Sequence, residues 1–160
     1  MKPLFSNIVV AISGSNASIM AAKYAIIMAK TYRCKMSAVY VVDTATIKQL
    51  TLSKIFVQQE SIEYEQSLEA NGMRYLRFVE ELAYSKGIKT ERELRKGAVS
   101  TEILCAADEK QADIIMLGSW EKDRSARDII GQSHHQIMEN AKCSVLLVKE
   151  PDIDMLFKRL

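Results

Sequence analysis

The stretch from Asp113 to Lys149 constrains the fold more than any other part of the chain, because strand, loop, helix and strand signals follow one another within it. An apolar run over residues 113–117 ends at Gly118, Gly131 opens a segment of helical character, and a second apolar run covers residues 143–148. Short apolar runs bounded by glycine are typical of parallel strands that are buried on both faces. The stretch therefore predicts a βαβ unit.

The loop inside this unit is the first candidate for a binding site. A loop that leads from a strand into a helix presents free backbone N–H groups and the positive end of the helix dipole, which together favour anions. Its charged side chains balance at 3 − 3 = 0; they are Lys122, Arg124, Arg127, Glu121, Asp123 and Asp128. This balance favours a solvated, mixed-charge loop over the alternative that Arg124 or Arg127 clamps a phosphate.

Upstream of this unit, apolar runs and helical patterns alternate. Ile8–Ile12 and Met36–Val42 are predicted to be buried strands. Ile88–Leu94 is more polar, as expected at a sheet edge, where charges discourage pairing with other chains. The order of elements predicts a single α/β domain.

The loop and its surroundings also form a family-like pattern. Gly118 is followed three positions later by an acidic residue, Glu121, and further on by the pair Gly131 and Gln132. A helix and the terminal strand CSVLLVK come after this pair. The pattern resembles the universal stress protein family, and the resemblance extends from Asn7 to Glu150. It implies an open parallel five-stranded sheet of order 3-2-1-4-5 with helices on both faces, the adenine-nucleotide alpha-hydrolase-like arrangement. The expected organisation is one domain over residues 1–150 and a C-terminal tail over residues 151–160.

The resemblance also implies a nucleotide-binding set. In nucleotide-binding members, an aspartate after the first strand and the backbone of a valine ending the second hold the adenosine part, and loop glycines with a Ser/Thr hold the phosphates. Here Ser13 stands in place of the aspartate, Glu121 in place of the middle glycine, and Gln132 in place of the Ser/Thr. The expected nucleotide-binding residues are Ser13, Val41, Gly118, Glu121, Gly131, Gln132 and Ser133.

These departures shape the expected function. The resemblance implies a non-enzymatic binding or signalling module of the stress response, whose ATP- or AMP-binding pocket is degenerate, so that nucleotide binding is weak or lost. A competent ATP-binding universal stress protein is the alternative. An ATP-pyrophosphatase-type enzyme is disfavoured, because Ala17 replaces the aspartate of that group's SGGxDS loop and Ser15 replaces a glycine.

Expectations about partners come from the resemblance and from composition. The family resemblance implies a homodimer through the last strand, Cys143 to Lys149. A protein partner is a second candidate. A net charge of +2 argues against nucleic acid and anionic membranes as partners, and no apolar run approaches the ~18 residues of a membrane span. Three widely spaced cysteines, Cys34, Cys105 and Cys143, favour small core residues in a reducing, cytoplasmic location over a disulfide framework.

Two further features concern the candidate site. His134 and His135 are adjacent, so on a helix they point about 100° apart, which disfavours a metal site because a metal pair needs positions i and i+4. His134 lies near a helix N-terminus, where it could contact a ligand, and Trp120 is expected to cap or fill the pocket. No catalytic residues and no metal ligands are predicted.

Local patterns give four more predictions. Residues 47–57 lack a clear period and are expected to form a loop, whereas a helix is expected around residues 73–83, weakened by Gly72. Ser100 is expected to cap the helix that follows the third strand, and the tail after Pro151 is amphipathic enough to dock on the body or on a partner. The buried face of the first helix is predicted to consist of Met20, Tyr24, Ile27, Met28 and Thr31.

Overall fold

The structure of the protein, a computed structural model, describes residues 3–119 and 133–160. Its strands form one parallel sheet in the order β3-β2-β1-β4-β5, which confirms the predicted order. The strands are β1 (Asn7–Ile12), β2 (Lys35–Asp43), β3 (Thr90–Gly97), β4 (Ile114–Gly118) and β5 (Ser144–Val148). The helices are α1 (Asn16–Tyr32), α2 (Thr44–Leu52), α3 (Gln58–Ser85), α4 (Val99–Glu109), α5 (described over residues 133–140) and α6 (Ile153–Arg159).

Helices cover both faces of the sheet, because successive strand residues point to opposite sides. Ile8 and Val10 pack with α1 and α3, whereas Val9 packs with α4 and α5. All three are at most 1% exposed. Their continuous apolar pattern is therefore explained by burial on both faces, as expected for a central parallel strand.

The predicted buried face of α1 is wrong except for Met28. The buried residues of this helix are mainly small: Ser18, Ala21, Ala22, Ala25, Ile26, Met28 and Ala29. Of the other predicted residues, Met20, Tyr24 and Ile27 are only partly buried and Thr31 is exposed. Small side chains allow the helix to lie close to the sheet, and the larger residues are left at the border of the contact.

The loop predicted over residues 47–57 is wrong for its first part, because α2 extends to Leu52. The carboxylate of Asp43 caps this helix by accepting hydrogen bonds from the backbone N–H of Thr46 at 3.0 Å and from its hydroxyl at 2.7 Å. Ile47 is the one buried residue of α2. A helix that buries one side chain leaves no apolar period in the sequence.

The predicted helix around residues 73–83 is confirmed but starts earlier, at Gln58. Gly72, expected to weaken it, lies against the side chain of Tyr40 in β2: a Cβ atom there would be 2.5 Å from Cδ1 of that ring. The glycine therefore permits close helix–sheet packing.

The edge strand β3 lies at Thr90–Gly97, so it begins two residues and ends three residues later than predicted.

The predicted N-cap of the next helix is also wrong. Helix α4 begins at Val99 after Ala98, so Ser100 lies inside its first turn. The Ser100 hydroxyl instead donates a hydrogen bond of 2.7 Å to Oε1 of Gln136. This bond joins α4 to α5 beside the end of the sheet where the candidate site lies.

The tail docks on the body of the domain. Ile153 and Phe157 of α6 are buried, and Phe157 joins the core on the α1 side of the sheet. Lys23 of α1 pairs with Asp154 at 2.6 Å. No helix in residues 3–119 and 133–160 is both long and apolar enough to cross a lipid bilayer.

Candidate functional site

A cleft lies at the carboxyl ends of β1 and β4, where the chain turns from each strand in opposite directions and leaves a crevice. It has a volume of about 150 Å³. Four of the predicted nucleotide-binding residues line it: Ser13, Val41, Gly118 and Ser133. Glu121, Gly131 and Gln132 lie outside the described residues, as do Trp120, Arg124 and Arg127.

The turn from β1 into α1 is held by three serines. The hydroxyls of Ser13 and Ser15 are 2.8 Å apart and share one hydrogen bond. Ser15 is the N-cap of α1, and its Oγ accepts a hydrogen bond from the backbone N–H of Ser18 at 3.2 Å. The hydroxyl of Ser18 donates to the carbonyls of Ser13 and Ser15 at 2.8 and 2.9 Å. Only Ser13 was predicted from the sequence as a site residue. The available signal for Ser15 was its residue type just before a helical segment, where serine is a common N-cap.

Gly118, matched by sequence to a phosphate-loop glycine, has a packing role. A Cβ atom at this position would lie 2.5 Å from the carbonyl carbon of Ala17 and 2.8 Å from the backbone nitrogen of Ser18. Since these are backbone atoms, no side chain could be accommodated without moving α1 or β4. The glycine therefore lets the end of β4 touch the first turn of α1 and keeps the two sides of the cleft together.

His134 fastens α5 to the end of β4. Its Nε2 atom lies 2.8 Å from the carbonyl oxygen of Gly118, and because a carbonyl only accepts, Nε2 carries the hydrogen. The ring thus lines the cleft and positions the neighbouring Ser133. His135 points elsewhere: it is exposed and pairs with Glu139 at 3.1 Å. Within the described ranges, no group of three or more His, Cys, Asp or Glu residues is placed to hold a metal ion.

The wall of the cleft is apolar and aromatic. Val41, Val99 and Ile103 line it on the α4 side of the sheet, with Leu117 and Ile137. Tyr40 also lines it and stacks on Tyr75, with ring centroids 6.4 Å apart and an interplanar angle of 13°. Burial, together with the neighbouring Tyr75 and Tyr64, raises the pKa of Tyr40, so its phenol stays neutral. A flat, largely apolar group suits such a wall.

The strongly paired charges lie away from the cleft, along β3. Arg95 contacts three carboxylates, those of Glu93, Glu102 and Glu109, at 2.6 to 2.9 Å. Its side chain is only 16% exposed. Burial alone would raise the pKa of Glu93, but hydrogen bonds and charges from Arg95 and Lys110 outweigh burial and hold that pKa below its ordinary value. These residues form an ion-pair cluster at the sheet edge.

Two of the three cysteines, Cys34 and Cys143, have thiols that are less acidic than an ordinary cysteine. Burial, followed by the nearby charge of Asp113, raises the pKa of Cys34, and burial is also the main cause of the raised pKa of Cys143. A raised pKa keeps each thiol protonated at neutral pH. Cys105 is exposed, so its prediction as a core residue is wrong.

Comparison with known proteins agrees with this geometry. The model of the universal stress protein family matches residues 4–149. A universal stress protein of Methanocaldococcus jannaschii is 32% identical over 148 residues, covering 92% of this chain and 84% of that protein.

Solved structures share the fold. Universal stress protein UspA from Lactobacillus plantarum superimposes with a TM-score of 0.76 at 20% identity, covering 92% of this chain and 100% of that one. A universal stress protein family protein from Arabidopsis thaliana, solved with AMP bound, has a TM-score of 0.64 at 16% identity and covers 92% of this chain and 94% of that one. The family model and the archaeal relative, in agreement with the fold, show that the chain belongs to the universal stress protein family.

Proposed function

We propose that this protein is a non-enzymatic binding module of the stress response that holds an adenine-containing ligand weakly in the cleft between β1 and β4. The observation that carries the proposal is the convergence of Ser13, Val41, Gly118 and Ser133 on one crevice beside an apolar wall. The AMP complex of the Arabidopsis thaliana protein, which has the same fold, supports the choice of ligand.

Weak binding follows from the residue at position 13. A carboxylate there would accept charge-assisted hydrogen bonds from ribose hydroxyls, and such bonds are about twice as strong as neutral ones. The Ser13 hydroxyl provides a neutral partner and already shares a hydrogen bond with Ser15. A loss of about 1.4 kcal/mol in binding free energy raises the dissociation constant about tenfold.

The absence of an enzymatic role is part of the proposal. A nucleophile needs a general base within hydrogen-bond reach. Among the described lining residues, the hydroxyl groups of Ser13 and Ser15 bond to each other, and that of Ser18 bonds to carbonyls of the same turn. The turn that resembles an ATP-pyrophosphatase loop uses its serine hydroxyls to cap α1 and to bond its own carbonyls.

Thermal unfolding with millimolar AMP or ATP and magnesium tests the proposal. A ligand that binds the folded state alone raises the melting temperature according to RT ln(1 + [L]/Kd), so even a weak site becomes visible. We expect a small shift for the natural protein and a larger one for Ser13→Asp. Ser67→Asp is the matched control, because it adds the same charge at an exposed position of α3.

Three outcomes of this experiment are distinct. A larger shift for Ser13→Asp than for the control supports a weakened adenine site. A large shift that Ser13→Asp does not increase indicates a competent ATP-binding protein, the alternative reading. No shift for either the natural protein or Ser13→Asp contradicts the proposal.

The proposal includes a homodimer formed through Cys143–Lys149. Strand β5 occupies one end of the sheet order, and the half-buried side chains of Val145, Leu146 and Leu147 lie along it. A groove lined by Leu4, Phe5 and residues 141–147 runs beside this strand. An edge strand with apolar side chains offers backbone hydrogen bonds and apolar area to a second copy.

Sedimentation equilibrium at micromolar concentration tests the dimer. We expect the natural protein to sediment as a dimer and Leu146→Lys to shift towards monomer. Leu52→Lys, at a position that is 72% exposed on α2, is the matched control and should remain dimeric. A monomeric natural protein would contradict this part of the proposal.

A cytoplasmic location completes the proposal, because three free thiols suit a reducing compartment.

A further inference from the structure

We propose that the outer face of α3 is a surface for self-association, on which two copies of this chain pair their α3 helices antiparallel about a two-fold axis beside Ala70. Helix α3 packs on β2 and β3, whereas β5 forms the other end of the sheet. The surface is therefore separate from the edge strand of the proposed homodimer. A contact there would join two such dimers into a larger assembly.

The length and orientation of α3 define this surface. The helix has 28 residues and is therefore about 42 Å long. Ser61 and Val79 are buried against the body of the domain, and Ala70 lies nine residues, or about two and a half turns, from each of them. Ala70 therefore faces away from the body, and it is exposed. Its small side chain allows a second helix to approach closely at the middle of α3.

The charges along the outer face match an antiparallel partner. Glu63 and Arg77 are both exposed, and each lies seven residues from Ala70, which is close to two turns, so the three residues share one line along the helix. An antiparallel copy centred on Ala70 places its Arg77 opposite Glu63 and its Glu63 opposite Arg77, because the two-fold axis repeats every contact. A parallel copy in register would instead oppose like charges.

The carboxylate of Glu63 has room for such a partner. It accepts one hydrogen bond, from Nε2 of Gln59 at 3.1 Å, and an ionised carboxylate has about four acceptor positions. Ion pairs on an exposed surface contribute little affinity, but they favour one register and oppose others. Glu63 and Arg77 therefore specify the direction of the pairing more than its strength.

Exposed apolar side chains at both ends of α3 supply contact area. Tyr84, near the C-terminal end, is 83% exposed, and the turn before the helix includes Ile55 and Val57, which are 65% and 61% exposed. Tyr84 follows Ala70 by 14 residues, and the residue 14 positions before Ala70 is Phe56, in the middle of that turn. The antiparallel pair thus brings the ring of each Tyr84 to the apolar turn of the other copy, where both surfaces leave water.

The match of α3 with itself identifies a second copy as the occupant of this face. Glu63 fits Arg77, and Tyr84 fits the turn before the same helix. Glu81 and Gln59, eleven residues from Ala70 on either side, form the next opposed pair, in which the amide N–H can donate to the carboxylate. A helix of another protein would have to reproduce all three features.

Disulfide trapping on the full chain tests the pairing. In Ala70→Cys the two introduced thiols would face each other across the two-fold axis, so mild oxidation should give a covalent dimer on a non-reducing gel. Glu81→Cys is the matched control: the position is exposed on the same face, but its two thiols would lie about 33 Å apart, far beyond disulfide reach. The natural protein, which has an exposed Cys105, gives the background. Equal yields from the two variants, including none from either, would overturn the proposal.

Charge reversal tests the register by sedimentation velocity at protein concentrations up to ~1 mM, the range of weak contacts. We expect the natural protein to form assemblies larger than the β5 dimer, and Arg77→Glu or Glu63→Arg to weaken this association at least about tenfold, because two attractions become two repulsions. The variant that combines both changes should regain association, since its pairs are restored with exchanged signs. Lys35→Glu, at an exposed position of β2, changes the net charge as much as Arg77→Glu and should associate like the natural protein. A combined variant that is folded by circular dichroism but does not regain association would overturn the proposal.

Leu146→Lys separates this contact from the one proposed at β5. Above the micromolar range we expect this variant to form dimers that Arg77→Glu abolishes. Monomers of Leu146→Lys at every concentration would overturn the inference and leave the homodimer through β5 in place. If the natural protein instead forms dimers that Arg77→Glu abolishes and Leu146→Lys leaves intact, the homodimer through β5 is wrong and the pairing of α3 stands.

Discussion

The cleft at the centre of the sheet and the edge strand β3 use polar residues in opposite ways. The described lining of the cleft is neutral and rich in serine. Strand β3 and its neighbours contain paired full charges: Arg95 alone contacts three carboxylates, and Lys110 contacts Glu91 and Glu93. Among the described residues, the cluster of closely paired charges thus lies at the sheet edge, and serine hydroxyl groups line the crevice.

This difference indicates what each region is built for. Charges along an exposed edge discourage other chains from pairing with it, and their close pairing limits the cost of partial burial. Hydroxyl groups in a crevice keep the turn closed and offer neutral hydrogen bonds. On this view the ion pairs stabilise the fold, whereas the described lining of the cleft presents apolar surface and hydroxyl groups.

The largest predicted effect of substitution is at the cleft, for Gly118→Ala. The added Cβ atom would overlap the backbone of Ala17, so we expect a loss of about 3 kcal/mol in the free energy of unfolding, the upper end of ordinary overpacking. Chemical denaturation measures the loss. Gly14→Ala is the control: its Cβ atom would make an ordinary contact of 3.5 Å with Tyr75, and the variant should remain close to the natural protein. Equal stability of the two variants would show that β4 and α1 are not closely packed.

At the edge, Arg95→Met should lower the free energy of unfolding by about 2 kcal/mol at neutral pH, because three carboxylates lose a charged hydrogen-bond partner. The pKa of Glu93 is lowered in the folded protein, so its ionised form adds stability above its unfolded pKa, and this contribution is lost as the pH falls through its folded pKa. The difference between the natural protein and the variant should therefore shrink in acid.

Denaturation curves of both proteins between neutral pH and about pH 3, below the ordinary glutamate pKa of about 4.3, measure this change. A stability difference that does not depend on pH would contradict the ionic account of the edge. Ligand binding should be unaffected by Arg95→Met at neutral pH, since the cleft does not use these charges.

The adjacent histidines provide the smallest and best-matched comparison. His134→Ala removes the bond to the Gly118 carbonyl and should cost about 1 kcal/mol. His135→Ala removes an exposed pair with Glu139 and should cost less than about 0.5 kcal/mol. Thermal denaturation of both variants gives the difference. A larger loss for His135→Ala would mean that His134 does not fasten α5 to β4.

The strand order of the sheet was predicted from the order of the elements together with the family resemblance. The apolar runs at Ile8–Ile12 and residues 113–117 read as buried strands because parallel strands are covered on both faces. The family resemblance grouped Ser13, Val41 and Gly118 as one expected set, and the structure brings them to one cleft. These predictions depended on local patterns that burial imposes on the sequence.

Other features depend on contacts between distant parts of the chain. Gly72 reads locally as a weak point of a helix, and its role emerges only from the Tyr40 ring that lies beside it. The bond between His134 and Gly118 joins residues 16 positions apart across a loop. Helix α2 buries Ile47 alone, so no apolar period marks it. No pattern within one element encodes such contacts.

The most direct test of the account is a titration of the isotope-labelled protein with AMP, followed by the chemical shifts of its backbone amides. Binding in the cleft between β1 and β4 predicts saturable shifts at Ser13, Val41, Ser119 and Ser133, with Arg95 and Lys110 unmoved. Saturable shifts centred on the β3 edge, or none at millimolar AMP, would contradict it.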